Sequence, residues 1–497
     1  MAPLNGAFSL NSLLLTLSVS TVLAICYVIG LAIYNLCFHP LASYPGPKLH
    51  AITRIPYLWA LVNGDQVRQV HDLHTRYGSV VRICPNELSY TSAEAVKDIY
   101  AHRQGKPEMQ KNKIFYSMHP GGPTMLTADR QDHARQRRNL SHAFSDSSMR
   151  AQEALIRKYI DLLIQRLEEH AESGNKPLNF CSWYNFTTFD VIGDLTFGEP
   201  FDCLEKSDYH PWVSMIFDNV KTSSYLKALK YVPGGKWMSS FVVPKRLLER
   251  MKTHANITTE KLNKRLALGT DRPDFIGHIL QRNEKTFSFD QLKSNSSLLI
   301  VAGSETTATL LSGVTYHLLR SPDKLKKVVD EVRMTFAKAE DISITSVGTL
   351  SYMLACLDEG LRMYPPVPVG LPRIVPEGGD IIAGKWVSGG TIVSVSHYAA
   401  YHSPTNFRNP ESFVPERFLG DEIYADDNRP VFNPFSTGPR NCIGRNLAYA
   451  EMRLILSKLL FSFDLELADK EQDWLDHKTY TLWEKPELNV KVKKVVR

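Results

Sequence analysis

The most apolar segment of the chain lies close to its N-terminus. Residues 13–36 read LLLTLSVSTVLAICYVIGLAIYNL, and no charged side chain occurs before Lys48. At about 1.5 Å per residue, a helix of this length reaches roughly 36 Å, which is enough to cross the ~30 Å hydrocarbon layer. A cleaved signal peptide, the alternative, has a basic start and a shorter apolar core. The pattern therefore predicts a membrane anchor over residues 1–39.

A short segment rich in proline, residues 40–48, follows the anchor. Proline fixes φ and interrupts helices, so we expect a stiff hinge before a globular body at residues 49–497. The first Lys and Arg residues come after the span, which by the positive-inside rule places the body in the cytosol. On this topology four N-x-S/T sequons are chance matches: Asn139, Asn185, Asn256 and Asn295.

The polar and apolar pattern of the body is mainly helical. Residues 77–91 contain two β-rich runs around a Pro-Asn-Glu turn and predict a hairpin, after which Ser92 is a candidate N-cap. From residue 129 to residue 360, apolar positions recur every three or four residues. Residues 365–418 carry Pro, Gly and short β runs, and a last helix precedes a β tail. We predict one domain, mostly α with small β-sheets.

Composition narrows the class of protein. Hydrophobic residues make up 43% and charged residues 22%, with a net charge of +6. The basic residues are scattered and no nucleic-acid-binding motif is present, so we expect no nucleic-acid partner. The seven cysteines are odd in number and lack CxxC or Cys/His spacing. This argues against a disulfide scaffold and favours a reducing compartment.

A cysteine loop stands near the C-terminus, where residues 435–444 read FSTGPRNCIG. The pattern suits a thiolate at Cys442, since Gly438 and Gly444 allow a tight loop of backbone N–H groups. Phe435 would supply an aromatic wall, and the following helix would point its positive end at the sulfur. A buried structural cysteine in a Gly/Pro loop is the alternative on these residues alone.

A second candidate is an apolar helix with a polar patch, residues 298–312, which read LLIVAGSETTATLLS. Ala302, Gly303 and Thr306 share one helix face. A Thr hydroxyl can bond back to a carbonyl one turn earlier and open the helix to water. With Glu305 it would pass protons to the reacting oxygen. A core helix with a satisfied polar kink is the alternative.

The cysteine loop resembles a known family. FxxGxRxCxG matches the haem-binding signature of the cytochrome P450 family at every fixed position, and AGSET matches its (A/G)GxET pattern. The resemblance extends from the anchor to the C-terminal tail. HPLASYPGPKL, DHARQRRNLSHAFS and YTLWEKPELNVKV are similar to the fungal secondary-metabolism branch, which includes trichothecene-type hydroxylases. It implies the P450 fold, a triangular helical haem-binding domain, preceded by one transmembrane helix.

The resemblance also implies roles for individual residues. Cys442 would be the axial ligand of haem b iron, with Glu305 and Thr306 as the catalytic proton relay beside Ala302 and Gly303. The propionate contacts would be Arg440, Arg137, Arg373 and His133, the last standing where the family has tryptophan. A buried structural triad would comprise Glu359, Arg362 and Arg417. His402 matches a family position too, where a structural role is equally expected.

By family position, the substrate pocket draws on four segments of the chain. They are Lys106–Met125, part of the 209–230 helix, Pro366–Gly370 with Val367 and Val369, and the region of Tyr480 and Thr481. The segment that contains the two valines is apolar, so a lipophilic polyketide, terpenoid or alkaloid would suit it.

The resemblance implies a haem-thiolate monooxygenase that uses O₂. The chain has no P-loop, and no GxGxxG follows a predicted strand, so electrons must come from a partner. That partner would be NADPH-cytochrome P450 reductase, with cytochrome b5 as a second candidate, docking on a basic face of Arg135, Arg138 and Arg445. The expected location is the endoplasmic reticulum membrane, single-pass. Alternatives are oxidative coupling or ring formation, an O₂-independent isomerase or dehydratase, and a non-catalytic haem or lipid carrier or sensor.

Overall fold

The fold is that of a computed structural model, which describes residues 10–116, 123–232, 234–235, 237, 245–269, 272–280 and 287–496. The α-helices within these residues are α1 Leu10–Ile33, α2 Lys48–Ile52, α3 Ile55–Asn63, α4 Gln66–Tyr77, α5 Ala93–Tyr100, α6 Lys113–Tyr116, α7 Arg130–Leu140, α8 Asp146–His170, α9 Phe180–Phe197, α10 Cys203–Lys206, α11 Pro211–Tyr231, α12 Lys245–Ala267, α13 Phe275–Leu280, α14 Phe289–Leu319, α15 Pro322–Thr335, α16 Ser351–Met363, α17 His397–Tyr401 and α18 Arg445–Ser462.

The strands are short and form small sheets. They are β1 Val80–Cys84, β2 Glu87–Tyr90, β3 Gln110–Lys111, β4 Leu178–Asn179, β5 Arg373–Ile374, β6 Asp380–Ile382, β7 Lys385–Val387, β8 Ile392–Val395, β9 Phe463–Leu467, β10 Thr479–Tyr480, β11 Leu482–Trp483 and β12 Asn489–Lys494. The largest sheet has the order β1-β2-β8-β5-β3; the others are β4-β12-β9, β6-β7 and β10-β11. The predicted class, mostly α with small sheets, is confirmed.

The predicted hairpin and cap are both present. β1 and β2 pair antiparallel, with Val80 opposite Tyr90, and β2 then pairs parallel with β8. Ser92 accepts a hydrogen bond from the N–H of Ala95 and so caps α5. The local sequence therefore determines this corner of the fold, and the parallel pairing connects it to a strand about 300 residues later in the chain.

The helix α14 runs through the main core beside α9, of which nearly every residue is buried. It begins in a capping box between Ser288 and Gln291, which satisfies two free N–H groups. Helix α14 also packs closely on α16 and on Tyr364, the residue that follows α16. A Cβ on Gly313 would lie 2.5 Å from Cδ1 of Tyr364, and one on Gly360 would overlap Val314. Glycine at both positions lets the two helices approach.

The anchor helix α1 is exposed along its length, and residues Asn11–Phe38 form a helical stretch of mean hydropathy 2.2. Helix α14 is also long and apolar enough to span a membrane, but 78% of its most apolar window is buried. The first therefore matches a membrane anchor, whereas the second is a core helix.

The proline-rich hinge is docked on the body. The N–H of Arg82 donates to the carbonyl of Pro45 at 2.7 Å, and its guanidinium donates to the carbonyl of Asn35 at 2.8 Å. The Asn35 amide in turn reaches the carbonyl of Ile52 at 3.2 Å. These bonds hold the end of the anchor and the hinge against β1 and α2.

Three of the four sequons lie inside the protein. Asn139, Asn185 and Asn295 are buried, and the amides of the last two are hydrogen-bonded to other side chains. Asn256, on α12, is exposed. Once the chain has folded, three of the sequons are therefore closed to modification, and Asn256 is accessible.

Candidate active site

A cavity of about 320 Å³ lies between the cysteine loop, α14 and α18. Its walls are mainly apolar and include Ile192, Leu299 and Leu361. The side chain of Cys442 faces it from the loop. The fold thus brings the two candidate chemical segments to one enclosed space, although Thr306 and Cys442 are 136 positions apart in the sequence.

The cysteine loop is closed by backbone contacts. The N–H of Cys442 donates to the carbonyl of Phe435 at 2.8 Å, and the Phe435 ring lines the cavity. Gly438 has a φ of +73°, and a Cβ there would overlap the carbonyl oxygen of Tyr100. Only glycine fits this position without displacing the loop.

The surroundings of the Cys442 thiol act on its pKa in opposite directions, and the pKa is raised overall. Burial raises its pKa, while the N–H of Gly444 and the guanidinium of Arg137 lower it. A metal cation bound at the sulfur would replace the thiol proton and stabilise the thiolate further. The site is thus suited to a sulfur that is ionised by its ligand.

Helix α14 forms the opposite wall, where Ala302, Gly303 and Thr306 line the cavity together, as their spacing predicts. The Thr306 hydroxyl donates to the carbonyl of Ala302 at 2.8 Å, the predicted back-bond. Gly303 also lies close to a neighbouring helix. A Cβ there would lie 2.7 Å from Cδ1 of Ile192, so the close neighbour is α9.

Glu305 does not line the cavity with Thr306. Its carboxylate is buried and forms an ion pair with Lys485, and both groups bond to the Thr309 hydroxyl, the lysine at 2.7 Å. Consecutive helix residues do not face the same side, so adjacency in sequence did not place Glu305 beside the Thr306 hydroxyl. Glu305 and Thr306, which were predicted to act together as a proton relay, therefore lie in different surroundings: the carboxylate faces Lys485, and the hydroxyl faces the cavity.

One edge of the cavity is basic. His133, Arg137, Arg373 and Arg440 all line it, as predicted, together with Lys111, which the sequence reasoning did not single out. Lys111 belongs to the predicted pocket segment, and its charge was the only signal that could have found it.

The partners of these cations differ. Arg440 is paired with Glu108 at 2.8 Å and donates to the carbonyl of Ala128. Arg137 donates to the carbonyl of Asn441 at 2.6 Å. Arg373 donates to a backbone carbonyl through one guanidinium nitrogen, but its buried Nε has no partner within the described residues.

The charges of this edge are unbalanced. Four cationic side chains, Lys111 and the three arginines, face one carboxylate, Glu108. Burial, followed by the charges of Arg373 and Arg440, holds the pKa of Lys111 well below its usual range. Burial likewise lowers the pKa of His133 to about 4, so its ring is neutral near pH 7. Haem b carries two propionates, which would offset two of the three surplus positive charges. The residues therefore fit haem b: Cys442 would hold its iron, and the basic edge would hold its propionates.

Residues 47–492 match the family model described as Cytochrome P450. The chain belongs to the cytochrome P450 family. It is 48% identical to the cytochrome P450 monooxygenase astA of Talaromyces wortmannii, over 95% of this chain and 96% of that protein. It is 47% identical to averantin hydroxylase of Dothistroma septosporum, over 92% and 88% of the two chains. The trichothecene C-15 hydroxylase of Fusarium sporotrichioides is 44% identical, over 96% and 97%. Family and relatives make the chain a P450 monooxygenase of fungal secondary metabolism.

Another acid of this P450 lines the cavity and was missed by sequence reasoning. Glu451, on α18, is 1% exposed, and neither carboxyl oxygen has a hydrogen-bond partner within the described part of the chain. Burial raises its pKa to about 8, and the neighbouring Thr307 hydroxyl opposes the shift. Its place nine positions after Cys442, on the helix that leaves the loop, was the available signal.

The predicted triad joins α16 to the segment Pro415–Leu419. Glu359 binds Arg362 through two bonds of 2.8 Å and Arg417 at 3.1 Å, and all three side chains are buried. The cluster has a fourth member, Asp427, which pairs with Arg417. Two arginines and one glutamate have a net charge of +1. Counting the charges of the predicted triad would therefore have predicted a second buried acid. The four together are neutral.

The predicted pocket residues fall in three places. Val367 lines the cavity, while Val369 lines a small adjoining hollow with Phe115. Tyr480 and Thr481 belong to the β10–β11 hairpin and do not line the cavity. Of the predicted segment Lys106–Met125, residues 117–122 lie outside the described residues.

His402 has a structural environment. Its Nδ1 bonds to the carbonyl of Tyr398 at 3.0 Å, and the two rings stack with centroids 4.0 Å apart. Burial is the main reason why the pKa of His402 lies well below the usual value for histidine. The ring is therefore a neutral, packed core histidine.

Proposed function

We propose that this P450 uses O₂ and electrons from NADPH, delivered by a partner reductase, to hydroxylate a lipophilic secondary metabolite. The observation that carries the proposal is the position of Cys442 across one cavity from the Thr306 face of α14. Two of the relatives are named averantin hydroxylase and trichothecene C-15 hydroxylase. The mainly apolar cavity wall supports a lipophilic substrate.

Haem b, when bound, supplies the activation of O₂. Cys442 would hold it through the sulfur, and Arg373, Arg440, Arg137 and His133 would hold its propionates. The apolar wall, which includes Val367, excludes water and orients the substrate. Because Gly438 has no Cβ, the loop can approach the carbonyl of Tyr100 closely in the conformation that presents the sulfur to the cavity.

Thr306 is the group that would move a proton. Its hydroxyl faces the cavity and is held at 2.8 Å from the Ala302 carbonyl, so it can donate to that carbonyl and accept from a water molecule, or rotate and donate into the cavity. Glu305 joins this route only if Lys485 releases its carboxylate. In the paired state, Glu305 instead ties α14 to the C-terminal segment.

The proposed reductase site lies on the side of the cysteine loop. Arg138 and Arg445 are exposed, whereas Arg135 is paired with Asp132. Arg445 also borders a surface hollow of about 450 Å³ that includes Arg150 and Arg453. An acidic flavoprotein, NADPH-cytochrome P450 reductase, suits this charge pattern, and cytochrome b5 is acidic enough to share it.

The proposed location is the endoplasmic reticulum membrane, with a single span and a cytosolic body. The exposed apolar helix α1 supports a membrane anchor. Large apolar side chains are also exposed where the chain leaves the anchor, among them Phe38, Leu49, Ile55 and Trp59. They suit a body that rests on the membrane surface beside its span.

The test is turnover of a defined panel of substrates. The protein and a fungal reductase are co-expressed, and polyketides, terpenoids and alkaloids are incubated with NADPH under ¹⁸O₂. We expect a product that carries one ¹⁸O atom and forms only when NADPH is added. A carrier or sensor would bind compounds without consuming NADPH, and an isomerase or dehydratase would form products without the isotope.

A further inference from the structure

Among the described residues that line the cofactor cavity, one side chain is acidic, and it belongs to Glu451 of α18. The residue is 1% exposed, and neither carboxyl oxygen has a hydrogen-bond partner within the described part of the chain. An ionised carboxylate in such surroundings has lost its hydration and gained no partner in exchange, which is unfavourable. The environment therefore favours the neutral acid, which carries a proton.

Other buried acids of this chain have partners that stabilise the ionised form. Glu359 is bound by two arginines, and Asp190 accepts hydrogen bonds from three backbone N–H groups. Burial raises the pKa of Glu451 to about 8, the Thr307 hydroxyl opposes this shift, and no charged side chain of the described residues adds to it. At pH 7 the carboxyl is therefore mainly protonated.

Glu451 lies where two walls of the cavity meet. Helix α18 follows the cysteine loop and packs against α14. On α14, Thr306 and Thr307 both line the cavity, and the Thr307 hydroxyl lies close enough to the carboxyl of Glu451 to act on its pKa. A hydroxyl can accept one proton while it donates its own. Thr307 thus connects the buried acid to the cavity wall that carries Thr306.

The proposed reaction needs a source of protons. When one atom of O₂ is inserted into a substrate, electrons and protons are taken up and the other oxygen atom leaves as water. Thr306 can pass a proton on, but a hydroxyl is not acidic enough to be its source near pH 7. Glu305, the acid predicted for this role, is paired with Lys485 and does not line the cavity. A general acid is most effective when its pKa lies near the operating pH, as that of Glu451 does.

We propose that Glu451 is a proton donor for the monooxygenase reaction, and that its proton reaches the reacting oxygen through the Thr307 hydroxyl and a water molecule in the cavity. The O–H bond of the carboxyl breaks, and Thr307 accepts this proton and gives its own to the water molecule. The water molecule in turn passes a proton to the oxygen atom that leaves as water. The carboxylate regains a proton from solvent before the next turnover. The proposal rests on the proposed function and deepens it, because it names the source of a proton that Thr306 can pass on.

The first experiment detects the proton and needs no turnover. Infrared difference spectra are recorded between the haem-loaded unaltered protein and its Glu451→Gln variant. At pH 6.5 we expect the C=O stretching band of a protonated carboxyl, which shifts in D₂O and disappears as the pH rises through about 8. Glu471→Gln, at an exposed glutamate, should give no such band. If the band is missing from the Glu451→Gln comparison, the carboxyl is ionised and the proposal is overturned.

The second experiment asks whether this proton is used. Product formed, NADPH consumed and peroxide released are measured with the panel compound that gives the most ¹⁸O-labelled product. Glu451→Gln should lower product per NADPH by about tenfold or more, with a matching rise in peroxide. In the unaltered protein this ratio should fall as the pH rises through about 8, because the donor loses its proton, whereas in Glu451→Gln it should stay constant. Glu471→Gln should behave as the unaltered protein does.

A purely structural role for Glu451 predicts different results. The spectrum of the reduced, CO-treated protein checks folding, and Glu451→Met replaces the glutamine variant if that protein does not fold. Less haem-loaded protein, with normal coupling and an unchanged pH response in what remains, would indicate a structural role and overturn the proposal. If the unaltered protein forms no ¹⁸O-labelled product with any compound, the proposed function itself is wrong, and the donor role is wrong with it.

Discussion

Two clusters of buried charge in this P450 differ in whether they are complete. The cluster of Glu359, Arg362, Arg417 and Asp427 is neutral, and the guanidinium groups are further bonded to carbonyl oxygens such as those of Tyr401 and Arg408. The cavity edge carries four cations against Glu108 and leaves a nitrogen of Arg373 without a partner. A complete cluster stabilises the fold by itself, whereas an incomplete one is organised to receive a charged ligand.

The largest effect expected on the incomplete side follows from Cys442→His. Replacing the sulfur removes the strongly donating ligand, so monooxygenase activity should be lost entirely. The spectrum of the reduced, CO-treated protein should lose the red-shifted band typical of the family. Cys37→Ala, at an exposed cysteine of the anchor segment, is the control and should leave both unchanged. Full activity and the band in Cys442→His would refute the assignment.

The complete cluster should respond through stability instead. Asp427→Asn leaves a buried arginine with one carboxylate to share, and breaking a buried pair costs about 3–5 kcal/mol. We expect a lower denaturant midpoint with unchanged spectral properties in the protein that remains folded. Asp330→Asn is the matched control, because Asp330 and Lys326 form an exposed pair worth about 0.5 kcal/mol or less. Equal midpoints for the two variants would contradict the structural role of Asp427.

Thr306→Ala tests the wall opposite the thiol. Removal of a small hydroxyl should leave haem content, substrate binding and reduction intact, yet lower product formed per NADPH by about a hundredfold. Hydrogen peroxide released into solution should rise accordingly. Measuring NADPH, peroxide and product in one assay separates this outcome from misfolding, which lowers the amount of loaded protein and not its coupling.

Helix α14 offers a matched control for that variant. Ser304 bonds back to the carbonyl of Ile300 at 2.6 Å, as Thr306 does to Ala302, but it is buried and does not line the cavity. Ser304→Ala should therefore keep normal coupling. Unchanged coupling in well-folded Thr306→Ala would reopen the O₂-independent alternatives.

Arg373→Leu tests whether the incomplete charge cluster at the cavity edge binds a haem propionate. If the free Nε meets a propionate, its loss removes a charge-assisted hydrogen bond worth about 1.5–3 kcal/mol. Haem transfer to apomyoglobin should then run roughly 10–100-fold faster. Arg138→Leu, at an exposed arginine of α7, should not alter the rate. Transfer at the normal rate from Arg373→Leu would show that the surplus charge serves another purpose.

The smallest expected effect concerns Glu451 and pH. Its pKa is raised to about 8 in the folded protein, while in the unfolded chain a glutamate ionises near pH 4.3. Between pH 4.3 and about 8, the folded protein therefore keeps a proton on Glu451 that the unfolded chain has lost. The stabilisation that this proton gives is complete below pH 4.3 and decreases as the pH rises to about 8. Glu451→Gln should lose less stability than the unaltered protein between pH 5 and 8.

Melting midpoints at pH 5, 6.5 and 8 measure this difference. Glu471→Gln, at an exposed glutamate, should follow the unaltered protein at each pH. If Glu451→Gln also follows it, the buried carboxyl is ionised in the folded state and has a partner.

Several elements of the fold and two parts of the candidate site could be predicted from local sequence. The hairpin at β1–β2, the cap at Ser92 and the anchor all depend on neighbours within a few positions. The cysteine loop and the shared face of Ala302 and Thr306 depend on short spacing in the same way. The basic residues of the cavity edge were predicted from resemblance, and the structure brings them to one cavity.

The remaining features depend on partners that are far apart in the chain. Glu305 was predicted to act in a proton relay with Thr306, and its carboxylate is bound by Lys485, 180 positions later in the chain. Lys227 meets Thr481 across 254 positions, and Arg440 meets Glu108 across 332. No local pattern encodes such pairs, because many acids and hydroxyls lie at suitable separations in the sequence.

The sequence by itself determined the anchor, the helical body, the loop around Cys442 and the residue types that can hold a haem and move a proton. Each of these follows from backbone periodicity, turn geometry or the chemistry of one side chain. The tertiary structure alone decided which charges are neutralised: Asp427 completes the structural cluster, Glu305 is paired away from the cavity, and neither carboxyl oxygen of Glu451 has a hydrogen-bond partner within the described residues. The physical reason is that a buried charge depends on every group within a few ångströms, and that set exists only after the chain has folded.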